Sequence, residues 1–280
     1  MTSPFPSRSS RPSRPSPRPA PAPAAPYLRY VALGDSQTEG VGDGDDTTGL
    51  RGCADRMAER LAAIDPAVRY ANLAVRGRLA GQVRAQQLPA ALALRPDLAT
   101  VVAGVNDLMR PSFDADEVAG HLEAMFAELT AAGAKVATVT FPDVGRMIPA
   151  ARPLGGRITA LNARIRVAAA AHDVALAETA HAPVFTDARL WSADRLHASP
   201  LGHARIAAAV ADALRLPGSD DSWTAPLPPW RAPAPSALTE LRWLASYLGP
   251  WLGRRLRGRS SGDGRAARRP QLLPVTPAEG

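Results

Sequence analysis

Tyr30-Val31-Ala32-Leu33-Gly34-Asp35-Ser36 is the stretch around which this chain is organised. A short apolar run that ends in glycine is typical of a buried strand leading into a tight turn. A serine in that turn lies at the carboxyl edge of a sheet, where open α/β sheets bind their ligands. Because Gly-Asp-Ser also occurs in ordinary turns, the stretch indicates a site only if other strand ends carry matching chemistry.

Downstream of this stretch, strand-like and helix-like segments alternate as far as residue 216. The predicted strands are Leu28–Leu33, Val68–Leu73, Leu98–Ala103, Lys135–Phe141 and Val174–Ala177. The predicted helices are Leu50–Ile64, Ala80–Leu94 (kinked or divided at Pro89), Asp114–Ala132, Arg157–His172 and Pro200–Leu214. Strands separated by helices of this length are joined by right-handed crossovers. We therefore expect residues 27–216 to form a three-layer α/β/α sandwich with a five-stranded parallel sheet.

The flanking segments differ in composition from this body. Residues 1–26 are mostly Pro, Ser, Arg and Ala, which cannot bury enough apolar surface to fold, so disorder is predicted. They lack the apolar core of a secretory signal, and no run in the chain is long enough to span a membrane, which favours a cytoplasmic location. Residues 217–235 are predicted to be a linker and residues 258–280 a disordered basic tail.

The basic character of the chain is concentrated at its ends. The sequence pI is about 10.6 and the net charge +7, but residues 1–26 and 231–280 together carry +10. The body, residues 27–230, therefore carries −3, which argues against a specific nucleic-acid partner. The single cysteine, Cys53, excludes an internal disulfide and lies in a helical pattern, so a buried, inert thiol is predicted.

Residues 236–257 are predicted to form an amphipathic C-terminal helix, which is bent at Pro250 and followed by arginines. Leucines recur in it at intervals of three or four residues, beside Trp243, Tyr247 and Trp251. One interpretation is a helix that docks on its own domain, with the arginines near its negative end. The other is a helix that binds a partner or makes weak contact with a membrane surface through residues 236–259. The sequence leaves both open.

Nucleophilic catalysis by a serine needs a base, a group that orients the base, and donors for the developing oxyanion. Asp194 and His197 lie three residues apart before the last helix of the body, so one turn can bring the carboxylate to the imidazole. His197 can then accept the Ser36 proton through its other ring nitrogen. Gly77 follows the second strand and has no side chain to block its N–H. Asn106 follows the third strand and offers a side-chain amide, so with the Ser36 N–H there are three candidate donors.

Four sequence blocks occur in the same order as in a known family. They are Gly34-Asp35-Ser36, Asn72 to Gly77, Gly104-Val105-Asn106-Asp107, and Asp194 to His197. In these blocks the chain resembles the SGNH hydrolases, also called GDSL-type esterases and lipases. It departs from the family at Gln37, where an apolar residue such as leucine is usual. We expect that change to affect the polarity of the pocket rather than the mechanism.

This resemblance implies a flavodoxin-like SGNH fold and a serine ester hydrolase. It makes Ser36 the nucleophile, His197 the general base and Asp194 the residue that orients it. The implied oxyanion hole consists of Ser36, Gly77 and Asn106. The implied reaction is hydrolysis of a small or medium acyl ester through an acyl-serine, with no metal or organic cofactor. Carbohydrate O-deacetylation, acyl transfer to an alcohol or sugar, and a non-catalytic or membrane-recruited binding module remain alternatives. The acyl chain, the alcohol and the oligomeric state stay open.

Several other polar residues are candidates for a functional role. Asp43–Thr48 resembles a calcium loop, but its sixth position is threonine and its twelfth, Ala54, is not a glutamate, so a solvated acidic loop is predicted. His203 is expected to be a packing or surface histidine rather than a second base. Asp35 is expected to be structural, with its carboxylate accepting backbone N–H groups in the turn that presents the serine, and Asp107 can do the same in its own turn.

Overall fold

The structure is a computed structural model. It describes residues 26–143, 145, 148–231, 236–250, 253, 257 and 259–275. The disorder predicted for residues 1–25 and 276–280, and the end of the predicted linker at 232–235, lie outside the described residues.

A six-stranded sheet forms the centre of the molecule. Its strands, in chain order, are β1 (Arg29–Gly34), β4 (Arg69–Asn72), β5 (Leu98–Val102), β6 (Lys135–Val139), β7 (Ala175–Ala177) and β8 (Arg269–Pro274). Their order across the sheet is β7-β6-β5-β1-β4-β8. The first five run parallel, which confirms the predicted α/β fold and the five predicted strands. A separate hairpin, β2 (Gly44–Asp45) with β3 (Gly49–Leu50), lies after the serine turn.

Helices pack in two groups against this sheet. The helices are α1 (Ser36–Glu39), α2 (Cys53–Ile64), α3 (Ala80–Ala93), α4 (Val105–Leu108), α5 (Ala115–Ala131), α6 (Gly155–Ala171), α7 (Pro200–Ala213) and α8 (Ala237–Trp243). One group pairs α2 with α7, and the other places α5 between α3 and α6. Of the two outcomes predicted for Pro89, a kinked or a divided helix, the division is wrong. Pro89 lies inside α3, which continues through it as one helix, and Leu88 and Ala91 on either side are buried in the core.

The register of the central strands brings the predicted site turns together. In β1, Ala32 lies opposite Asn72 of β4, and Gly34 lies opposite Val102 of β5. The residues of β1 from Tyr30 onward are buried, as expected of a central parallel strand covered on both faces. Because the three strands end at the same edge, the turns that follow them are neighbours in space.

The sixth strand corrects the predicted strand count and, at Arg269–Pro274, the disorder predicted for the basic tail. β8 pairs antiparallel with β4, and Tyr70 lies opposite Leu273. The Arg269 side chain donates to Tyr70 O at 2.9 Å and lies over the Tyr70 ring, 5.2 Å from its centroid. Without β8, β4 would be an edge strand with unpaired backbone groups. Composition alone predicts disorder because it does not show that this edge is available.

The start of the predicted linker is also attached to the body. Asp221–Thr224 forms a short 3-10 helix in which Trp223 is buried, and the indole N–H donates to Asp212 at 2.9 Å. In the part of the chain that the structure describes, no helix has the length and apolar character needed to cross a membrane.

Candidate active site

Ser36 begins α1, directly after the last residues of β1. The Asp35 carboxylate caps this helix by accepting the Gln37 N–H at 3.2 Å. A Cβ at Gly34 would collide with Val102 O of the neighbouring strand, so only glycine fits. The turn therefore holds Ser36 at the carboxyl edge of the sheet, as the sequence predicts.

Two buried side chains hold this turn from neighbouring elements. Gln87 of α3 accepts the Gly34 N–H at 2.8 Å and donates to Gly34 O at 2.9 Å. Asn72, at the end of β4, donates to Thr38 O at 2.8 Å. Sequence reasoning missed Gln87, because a glutamine inside a helix carries no sign that its amide faces a distant backbone group. These bonds satisfy backbone groups that burial would otherwise leave without water.

The glycine loop after β4 is tied to the end of α1. The Arg76 guanidinium pairs with Glu39 at 2.8 Å, and the Arg76 N–H donates to the same carboxylate at 2.6 Å. Gly77 follows, with a backbone φ of +78° that favours glycine. A Cβ at Gly77 would collide with Ser260 Oγ, so a distant C-terminal segment packs against this loop.

Asp194 and His197 form a hydrogen-bonded pair before α7. His197 Nδ1 lies 2.6 Å from Asp194 Oδ2. Asp194 Oδ1 accepts the N–H groups of Leu196 and His197 and the Ser192 hydroxyl, at 2.7–3.0 Å. Burial raises the pKa of Asp194, but the hydrogen bonds and charge of His197 and the Ser192 hydroxyl outweigh it and hold that pKa well below its usual range. The carboxylate therefore stays ionised, as a group that orients an imidazole must.

Asn106 lies in α4, next to the serine turn. Its amide nitrogen donates to Asp35 Oδ2 at 3.0 Å and to Arg78 O at 3.1 Å. The side chain thus links the serine turn to the glycine loop. A role as oxyanion donor requires one of these amide hydrogens to be shared with the substrate oxygen.

The two aspartates that the sequence considers structural behave differently. Burial raises the pKa of Asp35 to about 7, although the Gln37 N–H, the His197 charge and the Asn106 amide oppose the rise. Asp35 caps the serine turn as predicted. Asp107 accepts the Ala80 N–H at 3.0 Å, and so anchors the start of α3.

One cavity is lined by all five residues that the sequence predicts for the site: Ser36, Gly77, Asn106, Asp194 and His197. Among the described residues, no hydrogen bond joins the Ser36 hydroxyl to the His197 ring. Catalytic hydrogen bonds of this kind are commonly long until a substrate is bound. The arrangement places a candidate nucleophile, an imidazole oriented by Asp194 and candidate oxyanion donors around one space.

Part of the cavity wall comes from a segment that the sequence did not place near the site. We call residues 236–275 the C-terminal arm, and five of its residues line the cavity: Trp243, Ser246, Tyr247, Pro250 and Ser261. Trp243, Ser246 and Tyr247 are spaced so that they share one face of a helix. That spacing is the only sign in the sequence that these residues face a common surface.

The C-terminal arm packs against the loop that carries Asp194 and His197. The Arg195 guanidinium pairs with Glu240 of α8 at 2.7 Å and lies 4.8 Å from the centroid of the Trp243 ring. The Trp243 indole donates to Asp194 O at 3.2 Å. The helix therefore docks on its own domain, which is one of the two interpretations that the sequence left open.

An apolar side pocket adjoins the cavity that Ser36 and His197 line. Five residues line both spaces: Gln37, Val105, Met109, Leu154 and Leu196. The rest of the side pocket is almost wholly apolar and includes Val102, Leu108, Val139, Phe141, Ile158, Phe185, Trp191 and Ile206. This space adjoins the larger cavity at Val105, the residue before Asn106, and its walls suit an apolar group.

His203 is a packing histidine. It is fully buried in α7, where Nδ1 accepts the Cys53 N–H and Nε2 donates to Val41 O, both at 3.1 Å. Burial lowers the pKa of His203 to about 4, so the ring is neutral near neutral pH. The Cys53 thiol is buried as predicted, and burial raises its pKa to about 12, which makes it unreactive.

The acidic loop after α1 folds on itself and on nearby arginines. The Asp45 carboxylate accepts the N–H groups of Thr47 and Thr48 at 2.7 Å, while Asp46 pairs with Arg76 at 2.8 Å and with Arg265 at 2.7 Å. Within the described ranges, no group of three or more His, Cys, Asp or Glu side chains is arranged to hold a metal ion.

Comparison with known proteins points to one family. The model of the GDSL-like Lipase/Acylhydrolase family matches residues 32–205. A solved lipase/acylhydrolase from Enterococcus faecalis is 24% identical, with a TM-score of 0.56, over 69% of this chain and 99% of its own. An acetylxylan esterase from Geobacillus stearothermophilus is 19% identical, with a TM-score of 0.58, over 69% and 97%. TesA is 24% identical, with a TM-score of 0.53, over 67% and 98%. No curated protein matches the chain significantly.

Proposed function

The chain belongs to the GDSL-like lipase/acylhydrolase family, whose members hydrolyse esters, and we propose that it does so through an acyl-serine intermediate formed on Ser36. The observation that carries this proposal is the 2.6 Å bond between His197 and an ionised Asp194, in the same cavity as Ser36. A module that only binds a ligand needs no such oriented base.

In the proposed mechanism, Asp194 accepts a hydrogen bond from Nδ1 of His197, so Nε2 can accept the proton of the Ser36 hydroxyl. The Ser36 oxygen then attacks the ester carbonyl. The resulting oxyanion is stabilised by the N–H groups of Ser36 and Gly77 and by the Asn106 amide. The imidazolium returns its proton to the leaving alcohol, and the same steps with water release the acid.

The side pocket supports a medium-length acyl group as the preferred substrate. Its walls are apolar, and Val105, which precedes Asn106, lines both the side pocket and the catalytic cavity. An acyl chain that extends from the acyl-serine therefore has an apolar space beside it. Each buried methylene contributes about 0.8 kcal/mol, so kcat/KM is expected to rise with chain length until the pocket is full. An acetyl group gains nothing from this space.

The test is a series of p-nitrophenyl esters of increasing acyl length, with acetylated sugars beside them, on the full chain. Ser36→Ala is expected to abolish turnover while leaving the circular dichroism spectrum intact. Retained turnover would contradict the acyl-serine proposal. A preference for acetylated sugars would favour the carbohydrate deacetylase alternative, and product esters formed with added alcohol would favour acyl transfer.

A variant that fills the side pocket tests whether the acyl group binds there, independently of the acyl-serine mechanism. Ile206 of α7 lines the side pocket, whereas Leu201 on the same helix is 40% exposed. Ile206→Phe is expected to lower kcat/KM for octanoyl esters about tenfold and to leave acetyl esters almost unchanged, since about 1.4 kcal/mol corresponds to a factor of ten. Leu201→Phe is the matched control. Equal losses on both esters would show that the acyl group does not enter this pocket.

A further inference from the structure

The outer face of the C-terminal arm exposes a strip of large apolar side chains. Leu238, Leu241 and Leu244 are 59%, 62% and 41% exposed. They recur every three residues on α8 and its continuation, so they lie on one side of the helix. We call these three residues the outer leucine strip. Exposed apolar side chains gathered on one helix face mark an interaction surface more than scattered ones do.

While the helix is docked, the outer leucine strip cannot pack against the body of the protein. The other face of the helix is held by the Arg195–Glu240 pair and by the Trp243 indole bond to Asp194 O. That face also lines the catalytic cavity. A helix that is anchored on one side and apolar on the other is suited to a partner with an apolar interior.

Charge indicates which apolar partner fits. Glu240 is the only acid in residues 236–259, and it is paired with Arg195. The same residues contain five arginines, of which Arg242 is exposed beside the strip, so the segment carries a net charge of +4. Apolar side chains flanked by cationic residues match the acyl region and the anionic headgroups of a lipid surface.

We propose that the outer leucine strip and its flanking arginines dock this protein on an anionic lipid membrane. The strip enters the interface between headgroups and acyl chains, and the arginines contact the headgroups. Because the opposite face of the same helix is a wall of the catalytic cavity, docking brings that cavity beside the lipid surface.

Point variants test this better than truncation. Ending the chain at residue 235 would also remove β8 and the Ser260 contact with Gly77. The full chain is instead compared with Leu238→Ser/Leu241→Ser, using Val167→Ser as the matched control, since Val167 is a 69% exposed apolar residue on α6. Binding is measured by co-sedimentation with vesicles of phosphatidylcholine alone or mixed with phosphatidylserine.

The full chain and the Val167 variant are expected to bind the mixed vesicles, less strongly in high salt. The double leucine variant is expected to bind them at least about tenfold more weakly. Turnover of a soluble acetyl ester is expected to be equal in all three proteins. Equal vesicle binding by all three, or binding by none, would overturn the proposal. So would a dimer in light scattering that the leucine substitutions dissociate, because the strip would then join two copies of the chain.

A separate observation concerns Gln37, where the family usually has an apolar residue. Its side-chain nitrogen donates to Leu196 O at 3.0 Å, and its side-chain oxygen accepts the Ala198 N–H at 3.2 Å. The two partners, Leu196 and Ala198, are the residues immediately before and after His197 in the chain. A leucine can make neither bond. The polar end of Gln37 is therefore engaged by the histidine loop, which differs from the expectation that it only changes the polarity of the pocket.

We infer that Gln37 is a positioning residue that holds the His197 ring in register with Asp194 and Ser36. This inference rests on the proposed function. Gln37→Leu removes both bonds, so kcat is expected to fall about tenfold with little change in KM. The acid limb of the kcat–pH profile is expected to move to lower pH, because a mobile imidazolium loses contact with Asp194.

Gln37→Glu is the informative companion, because the carboxylate keeps the Ala198 bond and adds a negative charge near the imidazole. That charge favours the imidazolium, so the acid limb is expected to move to higher pH. Gln86→Leu, at an exposed position of α3, is the control. If Gln37→Leu raises KM and leaves kcat and the profile unchanged, Gln37 is only a pocket wall and the inference fails. Turnover retained by Ser36→Ala would instead contradict the proposed function.

Discussion

Asp194 Oδ2 lies 2.6 Å from His197 Nδ1, and the backbone oxygen of the same aspartate accepts the indole N–H of Trp243. The pair that would activate a serine is therefore also the point where the C-terminal arm attaches.

Asp194→Asn is expected to lower kcat by about 10³–10⁴, because the amide favours the wrong tautomer of His197 and cannot stabilise the imidazolium. Ser192→Ala is the matched comparison, since it removes only the 2.7 Å bond to Asp194 and should cost less than about tenfold. Steady-state kinetics on a soluble ester measures both. Comparable losses in the two variants would mean that loop order, rather than the carboxylate, controls the rate.

Asn106→Ala is expected to lower kcat by about 10²–10³, as loss of one oxyanion donor does. The variant also loses the bonds to Asp35 and Arg78 O, so the free energy of unfolding is expected to fall by about 1 kcal/mol. Urea unfolding of the same samples separates the two effects. An unchanged kcat would remove Asn106 from the oxyanion site.

Gly77→Ala is expected to impair both folding and turnover, since the added Cβ meets Ser260 Oγ and the backbone φ is +78°. Adding Ser260→Gly relieves the collision but not the backbone strain, which is worth roughly 1–2 kcal/mol. Thermal unfolding should therefore show partial recovery in the double variant. No recovery would mean that the C-terminal arm does not press on this loop in solution.

Stability near pH 4–7 is expected to depend on two buried groups with opposite signs. His203 has its pKa lowered from 6.5 to about 4, so its contribution is lost as pH falls through that range. Asp35 has its pKa raised from 3.8 to about 7, so its contribution is lost as pH rises through that range. In the intact protein the two groups therefore change the free energy of unfolding with pH in opposite directions, and their effects largely cancel.

Single variants should reveal each slope in turn. Asp35→Asn leaves the His203 effect, so the free energy of unfolding should rise between pH 4 and 6.5 by on the order of 3 kcal/mol. In His203→Asn only the Asp35 effect remains, so the free energy of unfolding should fall as pH rises. Urea unfolding across the pH range measures both. Parallel profiles for the two variants would show that these groups do not control the pH dependence.

Much of this molecule follows from local sequence. The apolar run Tyr30–Leu33 ending in Gly34 indicates a buried strand and a turn, and the helix face from Val118 to Leu129 is buried as its spacing predicts. Ser36, Gly77 and Asn106 follow β1, β4 and β5, and parallel strands bring the segments after them to one edge of the sheet. Asp194 and His197 lie in the loop before α7 and line the same cavity. Local pattern suffices here because strand and helix periodicity are properties of short segments.

Only the tertiary structure decided where the end of the chain goes and what Gln37 and Gln87 do. β8 forms because the edge of β4 offers unpaired backbone groups, and α8 becomes a cavity wall because Arg195 and Asp194 hold it. Both amide side chains bond to backbone groups that are distant in sequence. Composition and spacing carry no record of such contacts, because each depends on which surfaces the folded chain places side by side.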